Sequence, residues 1–154
     1  MFKQTSIVLI SFVFLMGCSG IIPELGVSSG QLMPCPSKPN CVSSQATDKQ
    51  HFLEPINFIG TRQEAQDRVL QIINAMQQTK IITVQEDYIR VAFTSNVFKF
   101  VDDVEFYFAS TSSKQIIIDF RSASRIGYSD LGANQERIEQ IRDVFKVEYP
   151  SKKS

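Results

Sequence analysis

Val101-Asp102-Asp103-Val104-Glu105-Phe106-Tyr107-Phe108 and Ile116-Ile117-Ile118-Asp119-Phe120-Arg121 decide the fold of this chain. Val104, Phe106 and Phe108 alternate with Asp103, Glu105 and Tyr107, while Ile116, Ile118 and Phe120 alternate with Ile117, Asp119 and Arg121. A period of two puts one set on a buried sheet face and the other on the opposite face. The Ser/Thr-rich stretch 109–114 between the runs is read as their turn. Centring it at Ser112 predicts Phe106 opposite Ile118 and Val104 opposite Phe120. On the other face it predicts Asp103 opposite Arg121.

The runs just upstream have the same period. Ile82 and Val84 precede Glu86-Asp87, and Ile89, Val91 and Phe93 follow it. A two-residue turn there predicts Val84 opposite Ile89 and Ile82 opposite Val91, with all four side chains on one face. Further upstream the period lengthens. Thr61-Arg62-Gln63-Glu64 matches a capping box, and Ala65, Val69, Ile72, Ile73 and Met76 form one apolar stripe, so a helix is predicted from Thr61 to about Thr79. A second helix is predicted from about Asn134, or as early as Ser129, burying Ile138, Ile141, Val144 and Phe145. The fold class that results is α+β: an antiparallel four- to five-stranded meander with two helices packed on one face and the other face partly open. His51–Ile59 is the candidate fifth, edge strand. Phe98, Phe100, Phe106, Phe108 and Phe120 recur at strand spacing and are assigned to the core rather than to a cofactor box.

Sixteen Lys and Arg balance sixteen Asp and Glu among 154 residues, and the sequence pI is near 6.6. That balance argues against a phosphate-tracking nucleic-acid binder, which needs clustered excess cation. The chain has one histidine, His51, which removes metal sites built on two or more imidazoles. No metal and no cofactor is expected.

Residues 1–17 combine Lys3 with an apolar run from Ile7 to Met16, broken only by Ser11. Ten helical residues span about 15 Å, half a hydrocarbon core, so the run reads as a signal peptide rather than a membrane helix. Leu15-Met16-Gly17-Cys18 resembles a bacterial lipobox, which implies cleavage before Cys18 and acylation of its thiol and new amine. Two or three chains, at about 0.8 kcal/mol per buried methylene, hold a protein stably on a bilayer. Ser19, rather than Asp, follows the modified residue and favours the outer membrane, with the domain facing the periplasm. Residues 18–34 carry Gly20, Pro23, Gly26, Gly30 and Pro34 and are read as a flexible tether of about 22 Å r.m.s. reach. The folded domain then covers 35–149, and 150–154 is a polar tail.

Cys35 and Cys41 bracket a proline-rich loop. A single pair of cysteines on the oxidising side points to a disulfide, contributing about 2 kcal/mol by the chain-entropy argument. Three other uses stand beside it: a metal site completed by His51, redox exchange, or a thiol nucleophile activated by His51.

Three strings, Cys35-Pro36-Ser-Lys-Pro-Asn40-Cys41-Val42-Ser43-Ser44, Phe98-Lys99-Phe100-Val101-Asp102-Asp103-Val104-Glu105-Phe106 and Arg121-Ser122-Ala123-Ser124-Arg125-Ile126-Gly127-Tyr128-Ser129-Asp130-Leu131-Gly132, resemble the signature segments of the domain of unknown function 1499 (DUF1499) family. The resemblance runs over about residues 34–146 in the family order. It implies an exported or membrane-attached bacterial protein and supplies no activity, ligand or catalytic residue.

The candidate site is the polar cluster Asp102, Asp103, Glu105, Arg121, Arg125, Tyr128 and Asp130. One reading makes it a pocket in which guanidinium forks receive a carboxylate or phosphate. The other makes it an ion-pair network pinning a strand end to the last helix, with Asp130 at that helix's N-terminus. Asp102 and Asp103 point to opposite faces of one strand, which disfavours paired-carboxylate glycosidase chemistry. Neither a nucleophile elbow nor a phosphate-cradling glycine loop is present. The resulting expectation is a lipid-anchored envelope domain that binds a partner protein or small anionic ligand without catalysis. An envelope enzyme with a carboxylate/Arg/Tyr site is the alternative.

Overall fold

Thr61 begins the first long helix as the capping box requires: its side chain accepts from Glu64 N and Glu64 reaches back to Thr61 N. The computed structural model describes residues 22–112 and 114–148. In chain order the elements are β1 (Val27–Ser28), β2 (Gln31–Leu32), β3 (Cys41–Ser43), β4 (Ile56–Ile59), α1 (Arg62–Ala75), β5 (Thr79–Val84), β6 (Tyr88–Thr94), β7 (Val101–Ser112), β8 (Gln115–Ser124) and α2 (Ala133–Glu148). The expected signal segment 1–17, Cys18 and the tail 150–154 lie outside the described residues.

The fold is α+β. β5 to β8 form the expected antiparallel meander, and β3 and β4 share the outer edge of β8, giving six strands in the order β3, β8, β7, β6, β5 with β4 also on β8. β4 is the edge strand expected within 51–59. β3 escaped prediction because a three-residue strand behind a proline loop shows no periodicity. Both helices pack on one sheet face, where Val69, Ile73, Ile138 and Ile141 meet Val104, Phe106, Phe108, Ile118 and Phe120. Each such large apolar side chain contributes roughly 1.5–3 kcal/mol on burial.

Six expectations need correction. α1 stops at Ala75, not Thr79, because the Thr79 hydroxyl donates to the Ile73 and Met76 carbonyls and Gln78 turns the chain at φ 58° into β5. Val84 does face Ile89, but Ile81 rather than Ile82 faces Val91, since a bulge between Ile81 and Thr83 inserts a residue. Ile81, Ile82 and Val84 stay exposed on the sheet's free edge, as does Val144 on α2. Phe98 and Phe100 precede β7 and are exposed, outside the core.

The fifth correction is the register of β7 and β8. Phe106 pairs with Phe120, Val104 with Ser122, Asp103 with Ala123 and Glu105 with Arg121, a slip of two residues from expectation. The strands extend into the presumed loop, to Ser112 and from Gln115, which moves the turn. A slip of two leaves every side chain on its expected face, and only the partners change.

The sixth concerns residues 22–34. They do not hang free: β1 and β2 form a hairpin, Val27 opposite Leu32, with Ser29 and Gly30 both at positive φ as a two-residue turn of this hand requires. This strap crosses the second sheet face. Gln45 bonds Leu32 N at 2.8 Å and Gly30 O at 3.1 Å, and Arg90 donates to Pro23 O at 3.1 Å. Buried charges on that face need a cover, and composition alone does not reveal one.

Candidate functional site

The second face of the sheet is built from the polar half of each alternation: Tyr88 and Arg90 on β6, Asp103, Glu105 and Tyr107 on β7, Asp119 and Arg121 on β8. Asp103 lies at its centre. Arg125 forks onto it, Nε to Oδ2 at 2.7 Å and Nη2 to Oδ1 at 3.0 Å, while Arg90 reaches Oδ1 through Nε at 3.0 Å and Nη2 at 2.8 Å. Arg90 stands directly opposite Glu105 in the ladder, yet bonds diagonally. Glu105 instead accepts from the Tyr88 hydroxyl at 2.8 Å and from Arg121 Nη1 at 3.2 Å. Arg121 Nε is buried with no partner among the described residues.

Burial and pairing pull these groups in different directions. Burial opposes ionisation of Asp103, but the bonds from Arg125 and Arg90 outweigh it and hold the carboxyl below the ordinary aspartate value. Burial pushes the Glu105 carboxyl up, and Tyr88 and Arg121 offset only part of that. Burial, then the charge of Glu105, pushes the Tyr88 phenol up as well. The Asp103 bond raises Arg125. Ionised, the cluster holds three guanidinium groups and two carboxylates out of water.

The seven residues singled out from sequence do not form one site. Asp103, Glu105, Arg121 and Arg125 share this network. Asp102 points to the helix face, where Arg137 Nη2 meets Oδ2 at 2.6 Å and the guanidinium lies 4.7 Å from the Phe93 ring centroid. Asp130 starts α2: its Oδ2 accepts from Asn134 N at 2.9 Å and from Nδ2 at 2.7 Å. Tyr128 is 72% exposed and is brought to neither group. Sequence reasoning missed Tyr88 and Arg90, although both sit on the polar half of a recognised alternation; pairing β6 with β7 would have placed them beside Glu105. Arg137, Asn134 and Ser122, joined around Ser122 Oγ, gave no motif signal.

Cys35 and Cys41 are joined as a disulfide. His51 does not approach them as a ligand or base: Nδ1 bonds the Asp48 carboxylate at 2.8 Å and Nε2 lies 3.1 Å from Lys38 O. Among the described residues no group of three or more His, Cys, Asp or Glu is placed to hold a metal.

Cavities lie elsewhere. One of about 470 Å³ sits between Met76, Phe93, Glu136 and Arg137, one of about 370 Å³ beside Leu32, Cys35 and Gln45, and one of about 300 Å³ beside Cys41, Asp130 and Leu131. None of these three is lined by Asp103, Glu105, Arg121 or Arg125.

The family described as Protein of unknown function (DUF1499) matches residues 31–145. The chain belongs to this family. Its match begins within the hairpin, at the first residue of β2, and so takes in the disulfide loop, the charged sheet face and nearly all of α2. No curated protein matches this DUF1499 chain.

Proposed function

We propose that this protein is a lipid-anchored domain of the bacterial envelope, held at the outer membrane and facing the periplasm, that binds a partner without catalysing a reaction. The observation that carries the non-catalytic part is the closed state of the Asp103–Glu105 network. A reaction centre needs an open position beside its acid, base or anion receptor. Here both carboxylates are engaged by tyrosine or arginine, Arg90 and Arg125 both fork onto Asp103, Arg121 gives Nη1 to Glu105, and the strap meets Arg90 through the Pro23 carbonyl. The same geometry weakens the small anionic ligand and leaves an envelope protein or lipid as the better occupant. The alternative, an envelope enzyme using Glu105 and Tyr88, requires the strap to leave.

The anchoring part rests on the lipobox of Leu15 to Cys18 and on the strap, which ties the segment following Cys18 to the sheet. Cell fractionation tests it. The wild-type chain should partition with outer membrane and incorporate labelled palmitate, and Cys18→Ala should lose the label and leave the membrane. Unchanged membrane partition of Cys18→Ala would overturn the anchor.

A further inference from the structure

The four most exposed large apolar side chains among the described residues, Leu131, Val97, Tyr128 and Phe98, collect at one end of the molecule, and the topology shows which end. β6 leaves the sheet at Thr94 and β7 enters at Val101, its ladder partner; the loop between them exposes Val97, Phe98 (70%) and Phe100. β8 finishes at the same end, because Arg125 N donates to Val101 O at 3.0 Å, and the loop after it exposes Tyr128 and Leu131 (97%). The strap runs toward this end as well. Gly30 packs near the Tyr107 hydroxyl, whereas Pro23 meets Arg90, whose guanidinium reaches Asp103 nearer the Thr94–Val101 rung. Beyond Pro23 comes Ile22, also exposed.

The protruding loop is built rather than slack. Ser95 N donates to Phe100 O at 2.8 Å, Phe100 N donates to Ser95 Oγ at 2.9 Å, and Gln78 Nε2 bonds Asn96 Oδ1. The Phe98 and Phe100 rings stack with centroids 5.5 Å apart, and Lys99 turns between them at φ 55°. Two aromatic rings held in water by a braced turn have lost burial free energy that an apolar surface would return.

From this arrangement we infer that the Val97–Phe100 loop rests in the headgroup layer of the lipid bilayer, with Tyr128, Leu131 and Ile22 beside it. The inference deepens the anchor reading of Cys18 and rests on it. Four residue steps from Cys18 to Ile22 reach at most about 14 Å. An acyl group on Cys18 therefore brings this end of the domain within reach of the membrane. Aromatic rings settle at the bilayer interface, and Lys99 between them faces anionic phosphates. The domain is thereby oriented on the lipid, with the β7–β8 turn pointing away.

The chain contains no tryptophan, so a Phe98→Trp variant carries a single indole emitter. The acylated full chain, its Cys18 modification verified by mass, is reconstituted in phosphatidylethanolamine/phosphatidylglycerol vesicles with and without brominated acyl chains. Ile59→Trp is the control, exposed on β4 beside Gln115 at the opposite end. The expected result is a blue-shifted emission for Phe98→Trp and bromine quenching roughly twofold or more above the control. Equal quenching of the two variants in acylated, vesicle-bound protein overturns the inference and leaves the anchor standing. Cys18 found without lipid overturns both. A blue shift that tracks protein concentration without lipid assigns the loop to a second copy of the chain and overturns the inference.

Discussion

Glu105 and Arg121 face one another on adjacent strands, Nη1 to Oε2 at 3.2 Å, with Glu105 0% exposed. A carboxylate so placed depends on its partners. Arg121→Met should cost about 3–5 kcal/mol in urea unfolding, because it strands a buried charge. Glu105→Leu/Arg121→Met should recover a large part of that loss, since a well-packed apolar pair needs no compensation. The sign with pH follows from burial. The folded Glu105 value lies above the unfolded one, so the native state binds the extra proton and stability falls as pH rises through that window. Removing Arg121 should deepen this fall; an Arg121→Met deficit that is flat from pH 4 to 8 would contradict the pairing.

Asp103 behaves in the opposite sense. Two arginines hold its carboxyl below the ordinary aspartate value, so its contribution is complete above about pH 3.9 and is lost as pH falls through the lowered folded value. Asp103→Asn should be least stable relative to wild type near neutral pH, and the gap should close in acid. Acid-unfolding curves of the two proteins read this directly.

How much of this was legible beforehand depends on what each residue obeys. Thr61 to Glu64 obeys a local rule, and its cap formed as expected. The faces of Val104, Phe106, Asp103 and Glu105 follow from a period of two. Their partners do not, because the turn after Ser112 sets them, and a shift of two residues preserves every burial preference. Arg121 thus met Glu105 rather than Asp103. Nothing local announced that residues 22–34 would close over the charged face, since Gly30 and Pro23 act there through carbonyl oxygens that any residue carries. Only sequence proximity links Tyr128 to the cluster, and its side chain stands in solvent.

The strap yields a test of its own. Gln45 bridges Leu32 N, Gly30 O and the Asp119 carboxylate, so Gln45→Ala removes three bonds and leaves a backbone donor unpaired, at a cost of about 1–3 kcal/mol. Limited proteolysis of the full chain should cut between Gly26 and Met33 faster in Gln45→Ala than in wild type. Equal cutting rates would return the segment to the status of a tether.

His51 provides a pH signature near neutrality. Its bond to Asp48 raises the imidazole above its ordinary value, so the charged pair contributes below about pH 6.5 and is lost as pH rises through the raised folded value. The lone imidazole can be followed by NMR, and Asp48→Asn should lower its titration midpoint. Destabilisation by Asp48→Asn should be greater at pH 5.5 than at pH 8.5.

In the proposed anchoring, lipid at Cys18 holds this DUF1499 domain to the envelope, and the charged sheet face locks the strap that leads to it. Intact-mass and N-terminal peptide analysis of the protein from the membrane fraction tests this most directly. The expected species is a mature chain beginning at Cys18 whose mass exceeds the polypeptide by a diacylglyceryl group and an amide-linked acyl chain. A membrane-fraction protein that begins at Met1, or carries an unmodified Cys18, would contradict it.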